Sequence, residues 1–275
     1  MEKCQVESLR KFANEIRKKT IHCIGTLGVG HFGGSMSVCE ALAVLYQSIM
    51  KIDPQNPKWE ERDWFVLSKG HAGPAVYATL ALKGFIPMET LDTLNQPNTI
   101  LPSHCDRNKT PGVDMTVGSL GQGFGNAVGL ALGFKMDKKP NRVFCIVGDG
   151  ECNEGSIWEG AMASAHFKLD NLTVMVDDNG LQSDGRTTDI MNMQPMDKKW
   201  EAFGWDVQTV DGHDVEQLYN ALTHEAPAGK PRCIIMKTIK GKNLLGFEDV
   251  STNHNTTITR EQMLAAIAAL EEVEA

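Results

Sequence analysis

Arg142-Val-Phe-Cys-Ile-Val147 leads into Gly148-Asp149-Gly150, and Leu172-Thr-Val-Met-Val-Asp177 leads into Asp178-Asn179. Between these two apolar runs, Glu154 to Lys168 has the composition of a helix. Strand, loop, helix and strand in that order predict a right-handed crossover joining two parallel strands. Both polar clusters then emerge at the carboxyl ends of strands, where open α/β sheets bind ligands. A carboxylate and an amide oxygen converge there, and the glycines let backbone approach a bulky anion. Hard oxygen ligands of this kind suit Mg²⁺ shared with a diphosphate. Alone, Asp149 would read as a helix cap and Asn179 as an Asx turn. Paired at two strand ends they favour a metal site. Of Asp177 and Asp178, one is expected to hydrogen-bond within the loop instead.

Working outward, residues 5–19 read as an amphipathic helix and Gly25 to Gly34 as a glycine-rich loop carrying His31. A helix over about 35–50 places Val38, Leu42, Leu45 and Ile49 on one face. Trp64 to Ser68 reads as a strand with Lys69-Gly-His-Ala-Gly73 at its end, and the glycine-rich Thr110 to Gly133 opens another helix. Trp205 to Val210 and Cys233 to Ile239 read as two more strands, with Asp214 to Glu225 as the helix between them. Thr259-Arg-Glu-Gln262 resembles a capping box that opens a final helix to the terminus. No repeat or linker divides the chain, so one α/β domain is the economical reading. Polar loops follow three of the predicted strands, and all should gather along one edge of the sheet.

The chain has 275 residues, 41% hydrophobic and 23% charged, which is ordinary for a globular protein. Its net charge of −8, without a basic stripe, argues against nucleic-acid binding. No apolar run approaches a membrane span and the amino terminus has no signal-peptide pattern. Seven cysteines without a Cys-x-x-Cys pair point to reduced thiols and a cytoplasmic protein.

His31, His71, His104 and His254 lie in glycine-rich or irregular sequence. Beside a phosphate site, the four read as donors to substrate hydroxyls or diphosphate oxygens. His22, His166, His213 and His224 lie on or beside predicted helices and read as structural. Glu154 is either an acid favoured at a helix start or part of a proton network. Gly28-Val-Gly30-His-Phe-Gly33 fits a dinucleotide-binding pattern, with Ile21 to Leu27 as its strand. No acid follows at the place a ribose hydroxyl requires. No phosphate loop of the Gly-x-x-x-x-Gly-Lys type occurs, which counts against a nucleotide triphosphatase.

In order along the chain, Gly70-His71, Ser103-His104, Thr110-Pro-Gly112, Gly118-Ser-Leu-Gly-Gln-Gly123, Gly148 to Glu159, Asp178-Asn-Gly-Leu181 and Lys237-Thr-Ile-Lys-Gly241 resemble the thiamine-diphosphate-binding half of the transketolase family. The likeness spans nearly the whole chain. It implies the thiamine-diphosphate-binding α/β fold over 1–275, a central, mostly parallel sheet flanked by helices on both faces, with a last helix at about 259–275. Carried over residue by residue, it implies Asp149, Asn179 and the Leu181 carbonyl as Mg²⁺ ligands, and Gly150 as a backbone contact to the diphosphate. Gly118, Ser119 and Leu120 would flank the cofactor's rings. His71 and His254 would lie near diphosphate and substrate, while His31 and His104 would meet the ketose. Glu154 matches a glutamate of the proton network between two cofactors.

The resemblance also implies a partner. In that family a pyrimidine-binding half supplies the glutamate that protonates the aminopyrimidine ring. A separate carboxy-terminal subunit is therefore expected, in a heterotetramer with two copies of each chain and active sites at the interfaces. The implied reaction moves a two-carbon ketol unit from a ketose donor to an aldehyde acceptor, with the cofactor as electron sink. Where the family has His-Gly, this chain has His254-Asn255. That departure widens the eligible donors to phosphorylated branched sugars and to the side chain of a 17-hydroxy steroid, which transketolase-like desmolases cleave. Two further readings are the α subunit of a 2-oxo acid or acetoin dehydrogenase, which lacks the Gly-His and Ser-His set, and a non-enzymatic regulatory protein.

Overall fold

The computed structural model describes residues 1–272. Its first part comprises α1 (Lys3–Leu27), β1 (Val29–Gly30), α2 (Phe32–Met36), α3 (Cys39–Val44), β2 (Trp64–Leu67), α4 (Gly73–Leu82) and α5 (Gln122–Met136). There follow β3 (Val143–Gly148), α6 (Gly155–His166), β4 (Leu172–Asp178), α7 (Thr187–Ile190), α8 (Met196–Ala202) and β5 (Asp206–Asp211). Last come α9 (Val215–Thr223), β6 (Arg232–Lys237), β7 (Thr256–Thr257) and α10 (Arg260–Glu272).

Strands β2, β3, β4, β6 and β5 pair in that order, every pairing parallel. A parallel sheet needs cover on both faces, and the side-chain alternation supplies it. Phe144 and Ile146 of β3 join the core under α1, α3, α4, α9 and α10. Val143, Cys145 and Val147 of the same strand join the opposite core, with Phe124, Ile157 and Trp200 from α5, α6 and α8. Register then places Gly148 beside Asp177, and Asp178 beside Lys237, all at one edge. The crossover and the gathering of polar loops are as the sequence predicts.

Two predicted boundaries are corrected. Helix α1 runs on to Leu27 rather than stopping at residue 19, because Ile21, Cys23 and Ile24 stay buried and Gly28 is the first residue to take a left-handed conformation, φ 85°. Gly25 admits the close approach of Met263 from α10, since a Cβ there would lie 2.6 Å from its sulfur. Ile21 to Leu27 is therefore helix, not strand, and the dinucleotide-binding reading of Gly28 to Gly33 falls with it. The helix expected over 35–50 is broken into α2, α3 and a π-helical turn, Leu45–Ile49. The capping box forms: Thr259 N–H donates to Gln262 Oε1 at 2.8 Å and Gln262 N–H to Thr259 Oγ1 at 3.2 Å. The last residues of that predicted helix, 273–275, lie outside the described part.

The two-stranded ribbon of β1 and β7 has no signature in the sequence; it pairs Val29 with Thr257 and Gly30 with Thr256. Two residues per strand carry no detectable period. Its effect is to bring His31 and His254, which flank it in sequence, side by side.

Arg17 of α1 and Glu40 of α3 form a buried ion pair at 2.7 Å. Burial alone would raise the Glu40 carboxyl, but Arg17 and then His213 outweigh it and lower the group from 4.5 to about 2. A depressed carboxyl stabilises the fold fully above its unfolded value and loses that contribution as pH falls toward its folded one. Between pH 4.5 and 2, urea midpoints should thus fall more steeply for this chain than for its Glu40→Gln variant. Parallel pH profiles for the two would refute the assignment.

Candidate active site

Asp149 follows the last residue of β3, and its two oxygens are shared between loops. Oδ1 accepts Gly150 N–H at 2.8 Å and Oδ2 accepts Gly180 N–H at 2.7 Å. Asp149 thus caps the turn that follows it and ties that turn to the loop after β4. Asn179 is oriented by its neighbours: Nδ2 donates to Asp177 at 2.9 Å, and Oδ1 accepts Leu181 N–H at 3.1 Å. Asp177, in β4, meets the loop through Asn179 but is held chiefly by side chains from other segments. Fully buried, it accepts from Lys69 Nζ at 2.5 Å, Ser37 Oγ at 2.7 Å and the Thr238 hydroxyl. Burial would raise it, yet Lys69 holds it below the usual carboxylate range. Asp178 instead pairs with Lys237 and with Gln194 Nε2 at 3.2 Å.

Among the described residues no ion pair ties a cation to Asp149 as Lys69 is tied to Asp177. Burial, with Asp177 nearby, pushes it up to about 7. Among the described residues no three His, Cys, Asp or Glu side chains converge as a metal cage. A cation at Asp149 would be completed by the Asn179 amide oxygen, the Leu181 carbonyl and oxygens of a ligand. This donor set fits a hard divalent ion carried with a diphosphate.

The loops enclose a cavity of about 270 Å³ whose lining includes Lys69, His71, Leu120, Gly150, Glu154 and Lys240. Lys69 and Lys240 are buried to 1% exposure, which places two ammonium groups among the acids of this edge. Lys240 Nζ donates to the carbonyls of Leu181 at 3.3 Å and Gln182 at 3.1 Å, and lies 3.2 Å from His254 Nδ1. Burial, then Lys69, lowers Lys240 to about 8.

All four loop histidines converge, though they come from four separate segments. Ring centroids lie 5.6 Å apart for His31 and His71, 5.8 Å for His31 and His104, 5.4 Å for His31 and His254, and 4.9 Å for His71 and His254. Burial lowers every one, with lysines and neighbouring rings adding to the shift at His31, His71 and His254; His254 falls to about 4. At neutral pH they are therefore uncharged rings, each able to donate with one nitrogen and accept with the other.

Glycine supplies close approach at two points. A Cβ on Gly150 would lie 2.9 Å from Gln182, and one on Gly34 would lie 2.8 Å from His71 Nε2. Gly118 and Ser119 are exposed beside the cavity, with no atom within 4 Å of a Cβ at Gly118. Glu154 stands exposed at the start of α6.

Sequence reading missed four members of this site. Lys69 and Lys240 stand inside quoted motifs without an assigned role, because nothing in a pattern tells a buried lysine from a solvated one. Ser37 lies in a predicted helix. Glu151 clamps three loops, accepting from Ser68 Oγ at 2.5 Å, Gly121 N–H at 2.8 Å and Gly148 N–H at 3.0 Å.

Compared with known proteins, residues 8–270 match the family model described as transketolase, thiamine diphosphate binding domain. The chain is 54% identical to the 6-deoxy-6-sulfo-D-fructose transketolase subunit SqwG of Clostridium sp. (strain MSTE9), over 96% of each chain. It is 38% identical to an apulose-4-phosphate transketolase subunit of Phocaeicola vulgatus, over 98% of this chain and 95% of that one. The solved transketolase from Leishmania mexicana superposes with a TM-score of 0.89 at 31% identity, over 96% of this chain but 41% of its own. The chain thus spans under half of that enzyme and nearly all of the two subunits.

Proposed function

Because the chain belongs to the transketolase family and matches its thiamine-diphosphate-binding domain, we propose that it is the amino-terminal subunit of a split transketolase whose donor is a sulfonated ketose. The convergence of four neutral histidines and two buried lysines on the Asp149–Asn179 edge carries the reading. The identity of 54% to a subunit named for 6-deoxy-6-sulfo-D-fructose supports the donor. Relatives named as transketolase subunits favour ketol transfer over the desmolase and 2-oxo acid dehydrogenase alternatives.

Thiamine diphosphate, when bound, would supply a carbon nucleophile and a cationic ring that acts as sink for the electron pair released on carbon–carbon cleavage. Lys69, Lys240 and the Gly150 N–H would hold its diphosphate, with Mg²⁺ between Asp149, Asn179 and the Leu181 carbonyl. Gly118, Ser119 and Leu120 would flank its rings. His31 and His104, neutral and partly exposed, would orient the ketol hydroxyls and move protons between them. His71 and His254 would bridge the diphosphate side to the substrate side. Glu154, exposed at the rim, would be covered by a neighbouring protomer and join the proton network there. Cleaving C2–C3 of a six-carbon sulfoketose passes C1 and C2 to an aldose acceptor and releases a four-carbon aldose that keeps the sulfonate.

A carboxy-terminal, pyrimidine-binding partner completes this site, in a heterotetramer with two copies of each chain. A cytoplasmic location follows from the same reading and agrees with six buried, free cysteines. Purified chain and partner should together turn over 6-deoxy-6-sulfo-D-fructose faster than apulose 4-phosphate or fructose 6-phosphate, releasing the sulfonated aldose by mass. Full turnover by this chain alone would overturn the split site, and preference for either phosphate would overturn the donor.

A further inference from the structure

Gly212-His213-Asp214 lies in the connection between β5 and α9, outside the cofactor cavity, and no step above uses it. His213 nevertheless reaches two elements at once. Its Nδ1 lies 3.1 Å from Glu40 Oε2, and its Nε2 accepts the Ile239 N–H at 2.9 Å. A backbone N–H can only donate, so Nε2 carries the lone pair and Nδ1 the proton. The Arg17–Glu40 pair therefore fixes both the tautomer and the orientation of the ring.

Ile239 directly precedes Lys240, whose ammonium addresses Leu181, Gln182 and His254. The surrounding turn is clamped on every side. Gly241 N–H donates to Gly33 O at 3.0 Å, while the Lys240 carbonyl accepts Asp249 N–H at 2.9 Å and Asn253 Nδ2 at 3.1 Å. Of these bonds, the one at Ile239 alone reaches a side chain anchored in the α1–α3 core. Gly212 brings His213 up to the turn: its N–H donates to Lys237 O at 2.9 Å, and a Cβ on it would collide with Thr238.

We propose that His213 is a positioning residue for the cofactor site. Held by Arg17 and Glu40, it fixes the Ile239–Lys240 backbone so that the Lys240 ammonium meets the Leu181 carbonyl and the diphosphate. The diphosphate half of this inference rests on the function proposed above; the backbone half does not.

Two amide variants separate the two contacts. In His213→Gln the side-chain oxygen reaches the Nε2 position and can accept the Ile239 N–H. In His213→Asn the shorter amide reaches only the Nδ1 position and can serve only Glu40. Hydrogen exchange at the Ile239 amide of the full chain should quicken about tenfold in His213→Asn and His213→Phe, the scale of one lost hydrogen bond, and return toward the parent rate in His213→Gln. In the complex with the carboxy-terminal partner, the Kd for thiamine diphosphate with Mg²⁺ should rise about tenfold in the first two and recover in the third. The kcat at saturating cofactor should change far less.

Unchanged Ile239 exchange in His213→Asn, or rescue by Asn and not by Gln, would overturn the backbone link. Altered exchange with an unaltered Kd would overturn the link from that backbone to the diphosphate. If His213→Phe does not fold, the Asn and Gln pair decides both points.

Discussion

Asp149→Asn should abolish cofactor-dependent activity while leaving the unliganded fold intact. The substitution keeps an acceptor for Gly150 or Gly180 but removes the one negative charge of the ligand set. Changing a residue that merely orients a metal ligand costs about 10–100-fold in affinity, so losing the charged ligand itself should exceed about 100-fold. Calorimetric titration of the complex with Mg²⁺ and thiamine diphosphate measures this directly. The melting temperature of the unliganded chain should not fall, because a carboxylate buried beside Asp177 is itself unfavourable. Retained magnesium-dependent cofactor binding would remove Asp149 from the site, whatever the activity.

The second large effect belongs to Lys69 and Asp177, a pair with side-chain exposures of 1% and 0%. Removing one member leaves the other charged and sealed from water, a cost of about 3–5 kcal/mol, or about 10 °C in melting temperature for a chain of this size. Lys69→Met and Asp177→Asn should each show it. The double variant should lose much less than the sum, since it removes both charges and keeps an acceptor for Ser37 or Thr238. Additive losses on thermal melting would show that the pair is not coupled. Because Asp177 also orients Asn179, its single substitution should weaken magnesium binding as well.

What is legible in the sequence is whatever repeats with the period of a strand or stands at a strand's end. Residues 142–147 and 172–177 announce themselves, and so do Asp149 and Asn179 beside them. The four histidines are individually visible too, although only the fold brings four distant segments within a ring's breadth. The end of α1 is misplaced from sequence because tertiary burial keeps Ile21 and Ile24 helical against their propensity. Lys69 and Lys240 escape notice for a different reason. Burial of a charge depends on partners far away in sequence, here Asp177 for the one and the Leu181 and Gln182 carbonyls for the other. Glu151 reads as one more acid after a glycine until Ser68, Gly121 and Gly148 are seen to converge on it.

The ribbon of β1 and β7 sets an order on how the protein comes into being. During synthesis the sheet edge with Asp149 and Asn179 can be laid down once β4 has left the ribosome. His31 waits for β7, far along the chain, and α1 waits for α10 to cover Gly25. Contacts of such long sequence separation form late, because the intervening chain must first be ordered. The nascent chain therefore owns its Asp149 and Asn179 loops well before it owns its cluster of four histidines. A premature stop before Thr256 should yield a protein with its central sheet and without its histidine cluster.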